Sequence, residues 1–436
     1  MGDTLGSQTV STKLRRIAEQ AERYPDMVFN NVYHLIDYDF LLEAYRRTRK
    51  GSAPGLDGVT AQEYAENLEF NLRDLHDRLR NNRYVAPPVE RVWIEKEGGK
   101  QRPIGKPGFE DKIVQRSVLM ILAAIYGHDF YDFSHGFQEG HSQHQALREL
   151  REQCIGLNIN WILDADVSGF FDNLNHSHVR EFVKMRVNDG GIMRLIGKWL
   201  KAGIVEGGNL TYPEKGTPQG GVISPMLANI FLHHVLDGWF ITDVHARMKG
   251  RCFLIRFADD FIIGFELEED AHRVMNVLAK RFNRFGLTIH SDKTKLVRFS
   301  RPSTKMAVGS ETFDFLGFTH YWAKSLRGNW IIKRKTMGKR LRRFIKSIWE
   351  WCRVNRHESP NEQFNMLCIK LRGYYQYFGI RCNYKALEKV YEETRYAWRY
   401  WLSRRSHKGN INWEKFARTI IDKLPLVRPR IIHNNV

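Results

Sequence analysis

The sequence predicts an α+β protein. Two β-rich stretches, NWILDADVSGFF (160–171) and RCFLIRFADDFIIGFE (251–266), are separated by segments with helical spacing of apolar residues, and the last third is helical. At 436 residues the chain exceeds the size at which one core keeps growing, so two or three subdomains are expected.

Residues 1–27 read as a solvated lead-in with one short helix. From about 28 to 83, apolar residues recur at helical spacing around the Gly-rich connector GSAPGLDGVT (51–60). VERVWIEKEGGKQRPIG alternates in the strand manner on both sides of EGGK (97–100), which predicts a hairpin. EDKIVQRSVLMILAAIYGHDF (110–130) is a long apolar helix that must be largely buried. There is no internal repeat and no low-complexity tract.

The balance of 68 Lys and Arg against 49 Asp and Glu gives a net charge of +19. Such a charge favours a polyanionic partner, nucleic acid first and an anionic membrane surface second. Residues 331–410 carry 20 Lys and Arg against 6 Glu and no Asp, so +14 of the total sits there. A charge run is commonly just a solvated face. Here the cations alternate with aromatics, as in YYQYF (374–378) and RYAWRYWLSRR (395–405). Base stacking combined with phosphate neutralisation is the physics of nucleic-acid grooves, whereas simple polybasic tails serve membranes.

No stretch reaches the roughly 18 apolar residues needed to span a bilayer. The N-terminus lacks a secretory layout, and Glu19 and Glu22 spoil TKLRRIAEQAERY as a targeting peptide. The five cysteines are scattered, without a CxxC pair, which argues against a disulfide framework or a zinc site. A cytoplasmic, nucleic-acid-associated protein is the expected class.

RFADDFIIGF (256–265) sets Asp259 and Asp260 inside an apolar run. A buried unpaired carboxylate costs several kcal/mol, so the pair belongs at an exposed hairpin tip or beside positive charge. WILDADVSGFFD (161–172) adds Asp164, Asp166 and Asp172. On a strand Asp164 and Asp166 share a face, while Asp172 lies past Phe170–Phe171, where the strand should turn into a helix. With Asp166 at the strand end, it can face a hairpin tip carrying Asp259 and Asp260. Three converging carboxylates require cations, and oxygen-only ligation suits Mg²⁺ or Mn²⁺. Two such ions stabilise the attacking and leaving oxygens of phosphoryl transfer. His135, His141 and His144 lack Cys or carboxylate partners at ligand spacing and read as satisfied or RNA-facing histidines.

From about residue 28 to 436 the chain resembles a reverse transcriptase of the group II intron-encoded (maturase) type. RPIGKPGFEDKIVQ (102–115) and SHGFQEGHSQHQAL (134–147) resemble the fingers blocks, and DVSGFFDNLNH (166–176) the first catalytic palm block. GTPQGGVISPMLANIFL (216–232) resembles the templating-pair block, and RFADD (256–260) the metal hairpin. GLTIHSDKTKLV (286–297) and FDFLGF (313–318) resemble the last palm blocks, LRGYYQYF (371–378) the maturase thumb signature, and 404–433 the tail of one branch. Several blocks are weak alone; their order is specific.

The resemblance implies a right-hand polymerase with fingers (28–160), a palm with an antiparallel sheet (161–325, with an insertion near 185–215) and a helical thumb (326–405). A basic maturase-like tail would occupy 406–436. It also implies roles. Asp166, Asp259 and Asp260 would be catalytic and hold Mg²⁺, or Mn²⁺ in its place, with the Val167 carbonyl as a further ligand. Phe171 falls at the steric-gate position that favours dNTPs, though a plain core Phe is the alternative. Gln219 would contact the incoming nucleotide; Lys96 and Arg102 would grip its triphosphate; Lys293 would sit near the carboxylates or simply be solvated. Lys339, Arg340, Arg343, Arg372, Tyr375, Arg404 and Arg405 would bind nucleic acid. The partners implied are an RNA template with its primer, intron RNA and a DNA target.

Three departures stand out. Phe257 replaces the usual Tyr, and Gln138 stands where Arg is frequent, which puts a template contact there in doubt. The C-terminus shows no Cys/His-rich nuclease module, so no target-strand cleavage is expected. Two other functions fit the same motifs: a splicing factor with vestigial polymerase activity, and a host-co-opted polymerase in repair or antiviral defence.

Overall fold

A computed structural model describes residues 2–95, 101–217, 219–302, 310–405 and 411–436, with side chains from residue 7 onward. Helix α1 (Gly2–Arg23) opens the chain, followed by α2 (Tyr38–Arg47), α3 (Ala61–Glu66) and α4 (Leu68–Arg80). The expectation of a solvated lead-in with one short helix is corrected. Val10, Ile17 and Ala21 recur on one face of a 22-residue helix and are buried. The following turn is fixed by buried Arg186, which donates to the carbonyls of Ala21, Tyr24 and Met27 while pairing with Asp129.

Strands β1 (Val89–Glu95) and β2 (Gln101–Lys106) form the expected hairpin, with Glu95 opposite Gln101. Helix α5 (Phe109–Tyr126) is buried on nearly every side, as its unbroken apolar sequence requires, and α1 and α2 pack against it. Then come α6 (Gln143–Gly156), β3 (Trp161–Ala165), β4 (Val167–Ser168) and the one-turn α7 (Phe170–Asn173). Helices α8 (His176–Lys184) and α9 (Gly190–Leu200) start on Asn175 and Asp189, whose side chains accept hydrogen bonds from first-turn amides. Strands β5 (Ile204–Glu206) and β6 (Asn209–Thr211) extend the β1–β2 sheet to the order β2-β1-β5-β6.

After α10 (Ser224–Leu232) and a π-helical segment, His233–Asp237, strands β7 (Cys252–Phe257) and β8 (Asp260–Phe265) form a second hairpin. Helix α11 (Glu268–Asn283), β9 (Thr288–Ile289) and β10 (Lys295–Arg298) follow. The central sheet has the order β10-β3-β8-β7 and is antiparallel throughout. Its two faces bury different cores. Leu163, Ala165, Phe261 and Ile263 join the large helical core, whereas Ile162, Ile262 and Ile255 pack with α6 and the next sheet. That sheet is β11 (Phe313–Phe315), β12 (Phe318–Lys324) and β13 (Trp330–Thr336).

The C-terminal unit is α12 (Gly338–Val354), α13 (Pro360–Phe378), α14 (Tyr384–Leu402) and the short α15 (Trp413–Phe416). They share a core with Trp398 at its centre, which Phe416 and Leu426 of the last segment complete. The fold is therefore α+β. No described helix is long and apolar enough to cross a membrane.

Candidate active site

The register of the central sheet brings the carboxylates together. Ala165 pairs with Phe261, so one step on Asp166 leaves β3 opposite Asp260, beside the Ala258–Asp259 turn. Strand alternation sets Asp164 on the same face as Asp166. Burial, then the charges of Asp260 and Asp166, push the Asp164 carboxyl up to about 7. Asp259 is half-buried and Asp260 exposed, as a hairpin tip requires. Lys293 donates to the Asp166 carboxylate, so it stands at the carboxylates and not free in solvent. Val167 is buried in the two-residue strand that pairs with Ile289.

Among the described residues, no three His, Cys, Asp or Glu side chains are already gathered as a metal nest. The chemistry nevertheless fits a cation. The donors are all carboxylate oxygens, burial and then their mutual repulsion disfavour ionisation of Asp164, and an ammonium group already pairs with Asp166. Asp164 was not singled out from the sequence as a site residue, although its two-residue spacing from Asp166 was the signal.

The turn carrying Asp259 is held from below. Ala258 has φ +56°, unfavourable for an L-residue, and its carbonyl accepts from Arg256. Arg256 is fully buried and also binds Asp237 and Asn229. Asn229 in turn donates to the Gly136 carbonyl, 2.5 Å away. A Cβ at Gly136 would lie 2.2 Å from the Ala258 nitrogen, so only glycine permits this approach. Sequence reasoning missed this support, because Asp237 stands far from Arg256 along the chain.

Phe171 is buried in the first turn of α7, edge-on to Phe170 at 5.2 Å. Its carbonyl accepts from the Thr217 amide at 2.8 Å, which ties this turn to the 216–220 loop. Beyond residue 218, which lies outside the described residues, the loop meets the first hairpin. The Arg102 Nε donates to Gln219 Oε1 at 2.6 Å, and the Gly105 amide donates to the Gln219 carbonyl. Gly105, Asp172, Thr217 and Gln219 help line a cavity of about 100 Å³. Hydrogen bonds thus tie the Phe171 turn to Thr217, and the first hairpin, through Arg102 and Gly105, to Gln219. Lys96 lies outside the described residues.

A larger cleft, about 620 Å³, separates the hairpin tip from the C-terminal helices; Phe257, Asp260, Gln143, Arg340, Arg343 and Tyr377 line it. Two of the cations assigned to nucleic acid, Arg340 and Arg343, therefore share a cleft with Asp260. Lys339 and Arg372 are exposed on α12 and α13. Arg404 is exposed, its guanidinium 4.2 Å from the Tyr400 ring centroid. Arg405 instead donates to the carbonyls of Arg356 and Glu358 and braces a loop. Tyr375 is a correction: it is 1% exposed in the helical core, because α13 turns that position inward with Leu371 and Tyr374. Gln138 donates back to Ser134, and His135 bonds Glu149 and His141. His144 bonds the Tyr377 carbonyl and stacks on His433.

The family profile described as reverse transcriptase (RNA-dependent DNA polymerase) matches residues 94–320. Protein YkfC of Escherichia coli K12 is 36% identical over 326 residues, 66% of this chain and 84% of YkfC. The group II intron-encoded protein LtrA of Lactococcus lactis is 35% identical over 227 residues, 51% of this chain but 37% of LtrA. The nuclear intron maturase 1, mitochondrial, of Arabidopsis thaliana is 30% identical over 198 residues, 41% of this chain and 27% of that protein. The chain thus spans well under two thirds of the intron-encoded protein and the maturase. With the profile match across the carboxylate-bearing sheet, and YkfC covered over most of its length, the chain belongs to the group II intron-type reverse transcriptases, a family of RNA-directed DNA polymerases.

Proposed function

We propose that the protein extends a primer 3′-OH with dNTPs on an RNA template, by a two-metal mechanism at Asp166, Asp259 and Asp260. The observation that carries this reading is the register that places Asp166 opposite Asp260 beside the Asp259 turn. In it, residues 28–160 act as fingers, the central sheet within 161–325 as palm, 326–405 as thumb, and 406–436 as a basic tail. Two divalent ions held by the three carboxylates and the Val167 carbonyl would activate the 3′-OH and stabilise the leaving pyrophosphate.

The chain's own residues do the rest. Phe171 closes the floor of the nucleotide site and excludes a ribose 2′-OH. Arg102, together with Lys96, binds the triphosphate, so the present bond of Arg102 to Gln219 must open when nucleotide arrives. Gln219 then meets the incoming nucleotide. Lys293, which now pairs with Asp166, would give up that bond if the carboxylates held divalent cations. Arg340 and Arg343 bind primer–template phosphates across the cleft.

The test is single-nucleotide extension of a DNA primer on an RNA template. Asp259→Ala/Asp260→Ala should abolish extension while leaving template affinity intact; undiminished extension would overturn the assignment.

A second role, binding intron RNA to assist splicing, is favoured by the exposed Lys339, Arg372 and Arg404 on the C-terminal helices. Splicing rescue by the same double variant would show that this role separates from polymerisation.

A further inference from the structure

A second cationic cavity lies apart from the cleft at Asp260. Its volume is about 860 Å³, and it shares no lining residue with that cleft. Its walls are the β12–β13 hairpin, Arg151 of α6, the Arg381–Cys382 turn between α13 and α14, and residues 434–436. Five cations line it, Arg151, Arg327, Lys333, Arg334 and Arg381, and no Asp or Glu does. Among the described residues none of the five forms an ion pair.

The arrangement is graded in depth. Arg334 forms the floor, 3% exposed, where it donates Nη1 to the Leu147 carbonyl but leaves Nε without a partner. Arg151 and Lys333 are half-buried, and Arg327 and Arg381 reach the exposed rim. Burial, then the Arg151 charge, draws the Arg334 guanidinium down to about 10. A buried unpaired donor costs about 1–3 kcal/mol, and crowded like charges repel. A ligand that recovers both terms is a string of anions running from rim to floor, as a phosphodiester chain provides.

The hairpin tip narrows the class. Leu326 is fully exposed between Ser325 and Arg327, on a tight turn closed by Gly328 at φ +79°. An apolar side chain presented to water beside a guanidinium suits the face of an unpaired base, and a duplex would hide its bases from it. We propose that this cavity is a second nucleic-acid site, which holds the backbone of a single-stranded or looped RNA segment while primer and template occupy the cleft at Asp260. The proposal rests on the polymerase reading only for what fills the first cleft.

The experiment uses the full chain. The protein is saturated with a chain-terminated DNA primer on an RNA template, and a fluorescent RNA stem–loop is titrated in by anisotropy at several salt concentrations. The wild type should bind both at once. Arg327→Glu/Arg381→Glu should weaken stem–loop binding on the order of tenfold and make its salt slope shallower by about 1–2, with primer extension unchanged. Leu326→Ala should weaken the stem–loop but not a blunt duplex. Arg340→Glu/Arg343→Glu should do the reverse, weakening primer–template and sparing the stem–loop. The proposal is overturned if primer–template displaces the stem–loop, if the rim variant binds it normally, or if the cavity captures anionic phospholipid vesicles and no RNA. Absence of extension by the wild type would overturn the polymerase reading instead, since stem–loop binding is read independently.

Discussion

Arg256 and Asp237 form an ion pair with neither side chain exposed, Nη2 to Oδ2 2.5 Å and Nε to Oδ1 2.8 Å. The same guanidinium holds the Ala258 carbonyl, so the pair couples the π-helical segment to the turn that carries Asp259. Burial of this kind stabilises little against an apolar pair, but breaking it leaves an uncompensated charge. Arg256→Met alone should cost about 3–5 kcal/mol, read as a fall in urea midpoint. Arg256→Met/Asp237→Leu should recover most of that stability. Its primer extension should stay low, because the Ala258 carbonyl has lost its donor. Full activity in the double variant would show that the pair only supports the fold.

Phe171→Ala should raise rNTP relative to dNTP incorporation. The substitution also empties a buried site, at a cost of about 3–5 kcal/mol. The incorporation ratio is unaffected by a smaller folded fraction, so it is the quantity to measure. An unchanged ratio would place the gate elsewhere.

Gly220 joins the Gln219 loop to the first hairpin at close range. Its φ is +119°, and a Cβ there would lie 2.3 Å from the Gly105 carbonyl oxygen. Gly220→Ala should therefore separate loop from hairpin and raise KM for dNTP more than it lowers kcat. Gly51→Ala, with nothing near its Cβ, is the control that should change neither. Equal loss in both parameters for Gly220→Ala would count against a nucleotide-binding role for this junction.

His233 and His234 are both held down to about 4, first by burial, then by Arg256 for His233 and by His233 for His234. The unfolded chain protonates them near 6.5 and the folded chain does not, so the unfolded state binds more protons below that pH. Their contribution is complete above about 6.5 and is lost as the pH falls toward 4, about 1–3 kcal/mol each. The urea midpoint should drop between pH 7 and pH 5, and His233→Phe/His234→Phe should flatten that dependence. An identical pH profile in the variant would contradict the assignment.

Much of the site was legible because strands have a period of two. That period put Asp164 and Asp166 on one face, and the apolar run around Asp259 and Asp260 called for a hairpin tip at the same sheet end. The same alternation exposed the β1–β2 hairpin, and a long unbroken apolar run exposed the buried α5. What escaped depends on contacts remote in sequence. Nothing near Arg256 announces Asp237 or Asn229. The polar composition of α1 hid the spacing of Val10, Ile17 and Ala21. In YYQYF the rings read as a stacking platform, yet adjacent positions on a helix diverge; Tyr374 and Tyr375 turn inward while Gln376 stays exposed.

The most direct test of the central claim is to count divalent ions. Mn²⁺ binding is followed by electron paramagnetic resonance in the complex of protein, chain-terminated primer on RNA template and matching dNTP. The wild type should hold two ions per complex, and Asp166→Asn or Asp259→Asn should lose both while still binding primer–template. Unchanged stoichiometry in either variant would contradict the assignment of these carboxylates as the metal-holding centre.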